Sequence, residues 1–295
     1  MPSTNEAQIQ VLLITGEVTG EHDFKVSSML RRMLESTGRF KVKITEEFRG
    51  ASAETLAPYD LVLINYDGGD GVMNVADPKP VRLGERAEKA ILDFVSSGKG
   101  VVFYHSSVFA TVWPKEFLRM MGGYCDMAAG SRRAPGDELA VKVDTGKHPI
   151  TAGLRPSWTV TSEDLFAGSF WHPEAKVEVL ATVFDDIEHY RNMSAYDASG
   201  LPKGVPVENL LGVNKDQAVA WINQYGKGRA FVISIGHGPD TIKRVGFVGL
   251  FCRAAEWAAT GSVTLPPPDV SGENRRRAWP YYSAFTVVEY ASMLP

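Results

Sequence analysis

Gly98-Lys-Gly-Val-Val-Phe-Tyr-His105-Ser-Ser107 is the stretch on which the fold turns. Glycines on either side of a lysine stop one element. Four apolar residues, 101–104, then form a short strand, and His105-Ser106-Ser107 follows with no spacer. A strand this apolar on both faces belongs in the middle of a sheet covered by helices on each side. The passage straight from strand to turn has the form of an elbow, which projects one side chain over the end of the sheet. Ser106 and Ser107 are placed to cap a following helix. The elbow residue is a histidine, not a cysteine.

The surroundings repeat the pattern. Upstream, residues 10–15 read as an apolar strand ending at Gly16, and 23–36 as an amphipathic helix presenting Phe24, Val26, Met29, Leu30, Met33 and Leu34. Strands at 41–46 and 60–65 and a helix at 83–97 complete a β-α-β-α-β alternation. That order gives parallel strands joined by right-handed crossovers. From 135 to 225 the rhythm breaks into strand-like pieces at 139–143, 158–161, 177–183 and 217–222, read as antiparallel additions. A core strand returns at 228–235, then Gly236-His237-Gly238 and a helix over about 242–259. The expected fold is α/β, of flavodoxin-like or amidotransferase-like build. One domain spans 8–264. Beyond it Leu265-Pro-Pro-Pro268 excludes helix and central strand. The rest of 265–295 is an aromatic tail (Trp279, Tyr281, Tyr282, Phe285, Tyr290), expected to dock on the domain or on a neighbouring subunit of a homo-oligomer.

Bulk properties narrow the function. The 295 residues are 44% hydrophobic and 22% charged, with a formal net charge of -4. Without a basic stripe a nucleic-acid partner is not expected. Cys125 and Cys252 stand far apart, which argues against a disulfide scaffold and a cysteine zinc site. Residues 1–10 are polar, and no apolar run of about 18 residues exists to span a membrane. A cytoplasmic protein is expected, with secretion after removal of a signal peptide as the alternative. There is no GxGxxG after the first strand, no Walker A and no GxSxG, so no nucleotide is expected.

In open parallel sheets, ligands bind beyond the carboxyl ends of the strands. There this sequence places Glu17, Glu21-His22-Asp23, Tyr66, Asp67, Asp70, the elbow, Glu163-Asp164 and His237. Three of the six histidines fall at strand ends or in the loops that follow; His148, His172 and His189 are given no role. His105, His237, Glu163 and Asp164 are the candidate catalytic groups, an imidazole and a carboxylate sufficing for acid–base work. Because Glu163 and Asp164 are adjacent, only one is expected to face the pocket. His22, His105 and His237 are candidate ligands for a divalent metal such as zinc, although no HxH or HExxH spacing supports this. Tyr66, Asp67, Ser106, Trp113 and Trp221 are candidate substrate contacts. Each has a plainer reading: a histidine satisfied inside the fold, a turn histidine, a surface carboxylate, an aromatic of the core.

Taken in order, several segments resemble the trehalose-utilisation family, the ThuA-like domains. They are Leu-Leu-Ile-Thr-Gly16 with His22-Asp-Phe24, Tyr59-Asp-Leu-Val-Leu63, and Gly98 through His105. Further on come His148-Pro-Ile-Thr-Ala-Gly-Leu154, Ser162-Glu-Asp-Leu-Phe166, Tyr225-Gly-Lys-Gly-Arg-Ala-Phe231, Gly236-His237 and Ala255-Glu-Trp-Ala-Ala-Thr-Gly261. The resemblance implies a class I glutamine amidotransferase-like three-layer sandwich, a mostly parallel sheet with antiparallel additions. It also implies a place in carbohydrate metabolism, near oxidoreductases that make 3-keto sugars. His22, His105 and His237 fall on the family's recurrent histidines. Glu163-Asp164 falls on an acidic pair that more often reads Asp-Glu. With neither a cysteine at 105 nor a late His-Pro-Glu, glutaminase activity is excluded. The expectation is an enzyme acting on a sugar or 3-keto-glycoside as isomerase, lyase or hydrolase. The competing expectation is a non-catalytic sugar- or partner-binding module.

Overall fold

The computed structural model describes residues 7–16, 24–68, 80–136, 138–146, 148–195, 198 and 200–268. Its first part follows the predicted alternation: β1 (Ile9–Ile14), α1 (Phe24–Ser36), β2 (Phe40–Thr45), α2 (Ala53–Leu56), β3 (Leu61–Ile64), α3 (Glu85–Ser96) and β4 (Gly100–Tyr104). After β4 the chain departs from expectation. His105–Val108 and Ala110–Val112 are two 3-10 turns, and the next α-helix, α4, starts only at Lys115 and ends at Met121. Ser106 and Ser107 therefore cap no α-helix. The Ser106 hydroxyl donates to Asp67 instead.

Short strands follow: β5 (Gly123–Tyr124), β6 (Arg132–Ala134), β7 (Glu138–Val143), β8 (Ser157–Thr161), β9 (Leu165–Ala167), β10 (Phe170–Trp171) and β11 (Glu178–Phe184). Then come β12 (Asp216–Tyr225), β13 (Gly228–Ile233), α5 (Pro239–Ile242) and α6 (Val245–Thr260). The helix expected near 242–259 is α6, and the short α5 precedes it, separated by Lys243-Arg244.

Nine strands form the main sheet in the order β2-β1-β3-β4-β13-β12-β11-β7-β8. From β2 to β13 neighbours run parallel; from β13 to β8 they run antiparallel. Alternate residues of the central strands feed separate cores. Val11 and Leu13 pack with Leu30 and Leu34 of α1 and Phe251 of α6. Leu12 and Ile14 pack with Ile91 of α3 and Phe117 of α4. This is the expected three-layer sandwich. The Tyr225-Gly-Lys-Gly228 turn shows why its last glycine is needed: a Cβ there would lie 1.9 Å from the carbonyl oxygen of Val95.

Two buried charged side chains of α6 fasten distant loops. Arg253 donates to the carbonyls of Pro149, Ile150 (2.7 Å), Ala152 (3.0 Å) and Leu265 (2.6 Å). Glu256 accepts from the backbone of Thr264 (2.8 Å) and Leu265 (2.9 Å) and pairs with Arg39 at 2.9 Å. The segment 264–268 lies against the domain, with Pro267 beside Gly153 and Pro268 beside Gly249. The remainder of the aromatic tail, 269–295, is outside the described residues. Among those described, no helix is long and apolar enough to cross a membrane.

A third anchor holds β6. The fully buried Arg132 reaches the Tyr190 hydroxyl (2.8 Å), the Leu211 carbonyl (2.6 Å) and the Asp185 carboxylate. Removing one member of such a pair strands a buried charge. Arg132→Ala is expected to lower unfolding stability by roughly 3–5 kcal/mol. Arg191→Ala, at an exposed pair with Glu188, should cost under about 1 kcal/mol. Urea titration of both variants checks the contrast. His148 accepts the Ile150 N–H on Nδ1 (3.2 Å) and lies edge-on to Trp257, and burial lowers its pKa from the usual 6.5. The unfolded chain thus takes the proton more readily. The stabilisation is whole above pH 6.5 and is lost as pH falls below it. The stability advantage of wild type over His148→Gln is expected to shrink between pH 7.5 and 5, again read from urea titrations.

Candidate functional site

β4 and β13 are adjacent and parallel, so the residues after them share one end of the sheet. His105 leaves β4 with φ at 49°. This left-handed conformation is unusual for a side-chain-bearing residue and costs on the order of 1–3 kcal/mol, recovered from the surrounding packing. The ring is fully buried, against Phe166 (centroids 5.0 Å apart) and 5.4 Å from the ring of His237. After β13, Gly236 takes φ 124°, and a Cβ on it would meet the Tyr104 hydroxyl at 2.5 Å. That hydroxyl donates to the Gly236 carbonyl. Glycine is therefore required before His237 by both conformation and contact.

The acidic pair arrives from further away. β8 is an edge strand, separated from β13 by β12, β11 and β7. Beyond it the chain turns at Ser162, another left-handed residue (φ 53°), and runs into β9. Strand alternation has ended by then, and both carboxylates enter the site. The expectation that only one would do so is corrected. Glu163 accepts the N–H of Gly236 on Oε2 (3.0 Å) and the N–H of His237 on Oε1 (3.0 Å). Its Oε1 also lies 3.8 Å from His105 Nε2. Burial raises its pKa from 4.5 to about 7, against the pull of the Thr241 hydroxyl and those two amides. Asp164 turns the other way, with Oδ2 3.3 Å from His237 Nδ1 and Oδ1 2.5 Å from Arg133 Nε.

One ligand atom each from His105, Asp164 and His237 lies within 4.8 Å of the other two. Two imidazoles and a carboxylate facing one another are a donor set suited to a divalent ion with an open position. They also offer an acid–base pair beside a second carboxylate. Of the three histidines expected as ligands, His22 lies outside the described residues. Among the described residues, Asp164 joins His105 and His237.

The family model for ThuA, trehalose utilisation, matches residues 10–258. The chain belongs to the ThuA family. That places it among proteins related to carbohydrate utilisation. Solved structures agree on the fold. A ThuA-like protein from Parabacteroides merdae superposes with a TM-score of 0.62 at 24% identity, covering 89% of this chain and 94% of that one. One from Bacteroides uniformis gives 0.59 at 18%, covering 89% and 98%. A cytoplasmic protein from Salmonella typhimurium LT2 gives 0.52 at 13%, covering 85% and 100%. No curated protein matches the sequence.

The remaining candidates divide. Asp67 and Ser106 are both buried and hydrogen-bonded (3.0 Å) directly beside the elbow. The aromatics expected to stack on a sugar give their rings to the core. Trp221 is fully buried, its Nε1–H donating to the Met121 carbonyl. Trp113 stacks on Phe117 at 4.8 Å and donates to the Ser107 carbonyl. Tyr66 packs against Trp113, and its hydroxyl donates to the Val81 carbonyl. Sequence reading missed Arg133 and Phe166, which face each other across β6 and β9. Phe166 stands two residues past the acidic pair; nothing in the sequence singles out Arg133.

Gly236→Ala is expected to destabilise the protein by about 2 kcal/mol or more, since overpacking and a forced left-handed backbone add. Gly238→Ala, whose Cβ meets nothing within 4 Å, should cost less. Thermal melts of the two variants test the difference.

Proposed function

We propose that this chain is an enzyme of carbohydrate utilisation that acts on a sugar or keto-glycoside, with His105, Asp164 and His237 holding a divalent metal such as zinc. The observation that carries the reading is the convergence of these three ligand atoms within 4.8 Å at a buried strand-end elbow. The 3.3 Å between His237 Nδ1 and Asp164 Oδ2 matches the edge of a tetrahedron with bonds of about 2.1 Å. Three protein ligands leave a position for substrate or water, the pattern of catalytic rather than structural sites.

A bound divalent ion would polarise a carbonyl of the substrate. The chain's own groups supply the rest. Carbon next to a sugar ketone carries acidic hydrogens. Glu163, beside His105, accepts such a proton and returns it, giving isomerisation, or elimination when a leaving group stands one carbon further on. The two backbone amides on Glu163 fix where its carboxylate stands. Asp67 and Ser106 are placed to hold a sugar hydroxyl beside the elbow. Glutaminase chemistry has no support here. Position 105 carries no thiol, and burial pushes the Cys125 thiol up to about 12, far from a ready nucleophile.

The test pairs elemental analysis with turnover on a panel of 3-keto-glycosides. Wild type is expected to hold about one metal per chain and to process at least one member. His105→Ala and Glu163→Gln should fold and lose at least about 100-fold in kcat/KM. Full activity in a metal-free sample would remove the metal. Equal turnover by all three proteins would remove the site. Sugar binding without turnover by wild type would make the chain a binding module.

A further inference from the structure

We propose that Arg133 is a positioning residue of this centre: its guanidinium stands in an ion pair with Oδ1 of Asp164, which leaves Oδ2 turned toward His237. The metal part of this inference rests on the reading above; the orientation of Asp164 does not.

Three observations carry it. First, the two oxygens of a nearly buried carboxylate have different neighbours, Arg133 Nε at 2.5 Å and His237 Nδ1 at 3.3 Å. Second, Arg133 cannot drift from Asp164. Its strand β6 pairs with β9 in the register Arg133↔Phe166, Arg132↔Ala167 and Ala134↔Leu165, and β9 begins directly after Asp164. Third, β6 is nailed from the opposite face. Arg132, next in sequence, is buried on Asp185, Tyr190 and the Leu211 carbonyl. Adjacent arginines thus divide the labour, one anchoring the strand and one aiming a carboxylate. A carboxylate with one oxygen committed in this way offers a metal one oxygen rather than two. Outer groups that orient ligands typically matter 10–100-fold for metal affinity.

Charge and orientation predict opposite signs. Deleting a cation next to a ligand should, by charge alone, tighten the binding of another cation. Losing the orientation of Asp164 should weaken it.

The experiment uses the whole chain stripped of metal, as wild type, Arg133→Ala, Arg133→Lys and the exposed control Arg191→Ala. Melting curves establish that each folds; should Arg133→Ala not fold, Arg133→Gln replaces it. Co²⁺ is titrated in and followed by its visible d–d absorption. We expect Arg133→Ala to bind Co²⁺ 10–100-fold more weakly than wild type with an altered band, Arg133→Lys to recover part of the loss, and Arg191→Ala to match wild type. Binding by Arg133→Ala as tight as wild type, or tighter, overturns the proposal. So does weaker binding with an unchanged band. If wild type takes up no Co²⁺, the metal reading falls by itself. Arg133 is then judged on the ring ¹⁵N shifts of His237 in the metal-free proteins. Displacement in Arg133→Ala but not in Arg191→Ala supports its role; superimposable spectra overturn it.

Discussion

The carboxylate of Glu163 accepting the N–H groups of Gly236 and His237 is the contact on which the site depends. It joins the far antiparallel edge of the sheet to the end of a central parallel strand. Without it, His237 would sit on an untethered turn, and the acidic pair would belong to an outlying loop. The bond is charge-assisted when Glu163 is ionised, yet full burial raises the acid's pKa to about 7. The same burial that strengthens a hydrogen bond makes an ionised carboxylate costly. One side chain is therefore both a structural clamp and a carboxyl group that burial shifts toward neutrality.

Strain concentrates in the same place. His105 and Ser162 are two of the three residues other than glycine with positive φ among those described. Each comes directly after a strand, and each turns the chain so that the next side chains meet over the sheet. Such backbone persists only where the surroundings over-determine it. Here that is done by Phe166 on the His105 ring and by the Tyr104 hydroxyl on the Gly236 carbonyl. The elbow rests on rigid strands, while the histidines and acids stand on short turns held by hydrogen bonds.

Polar anchoring explains several segments that pure hydrophobic patterning leaves unexplained. Arg253 and Glu256 lie on the buried side of α6, where apolar residues would be the default, because each satisfies backbone groups of loops that cross the helix. The 148–154 loop and the 264–265 segment have no ladder of their own to satisfy them. Arg132 does the same for the long excursion between β11 and β12. These charges are buried with partners, so they specify which loop packs where.

The sequence by itself determined the alternation of strands and helices, the two-faced burial of β1, β3 and β4, the elbow at His105 and the strand-end position of His237. Each follows from local periodicity and from glycine, which act over a few residues. It also located the acidic pair, but not that both carboxylates enter the site, since that depends on a left-handed turn at Ser162 after strand alternation ends. It offered Tyr66, Trp113 and Trp221 as sugar-facing rings, because an aromatic at a strand end or in a strand reads alike whether it packs inward or lines a cleft. Only the tertiary structure decided that β8 lies at the sheet edge while the residues after it return to the centre, that Asp164 stands between Arg133 and His237, and that Asp164 joins His105 and His237 with ligand atoms within 4.8 Å of one another. These are contacts between segments tens of residues apart, fixed by sheet order and by hydrogen bonds to backbone, and no local pattern encodes them.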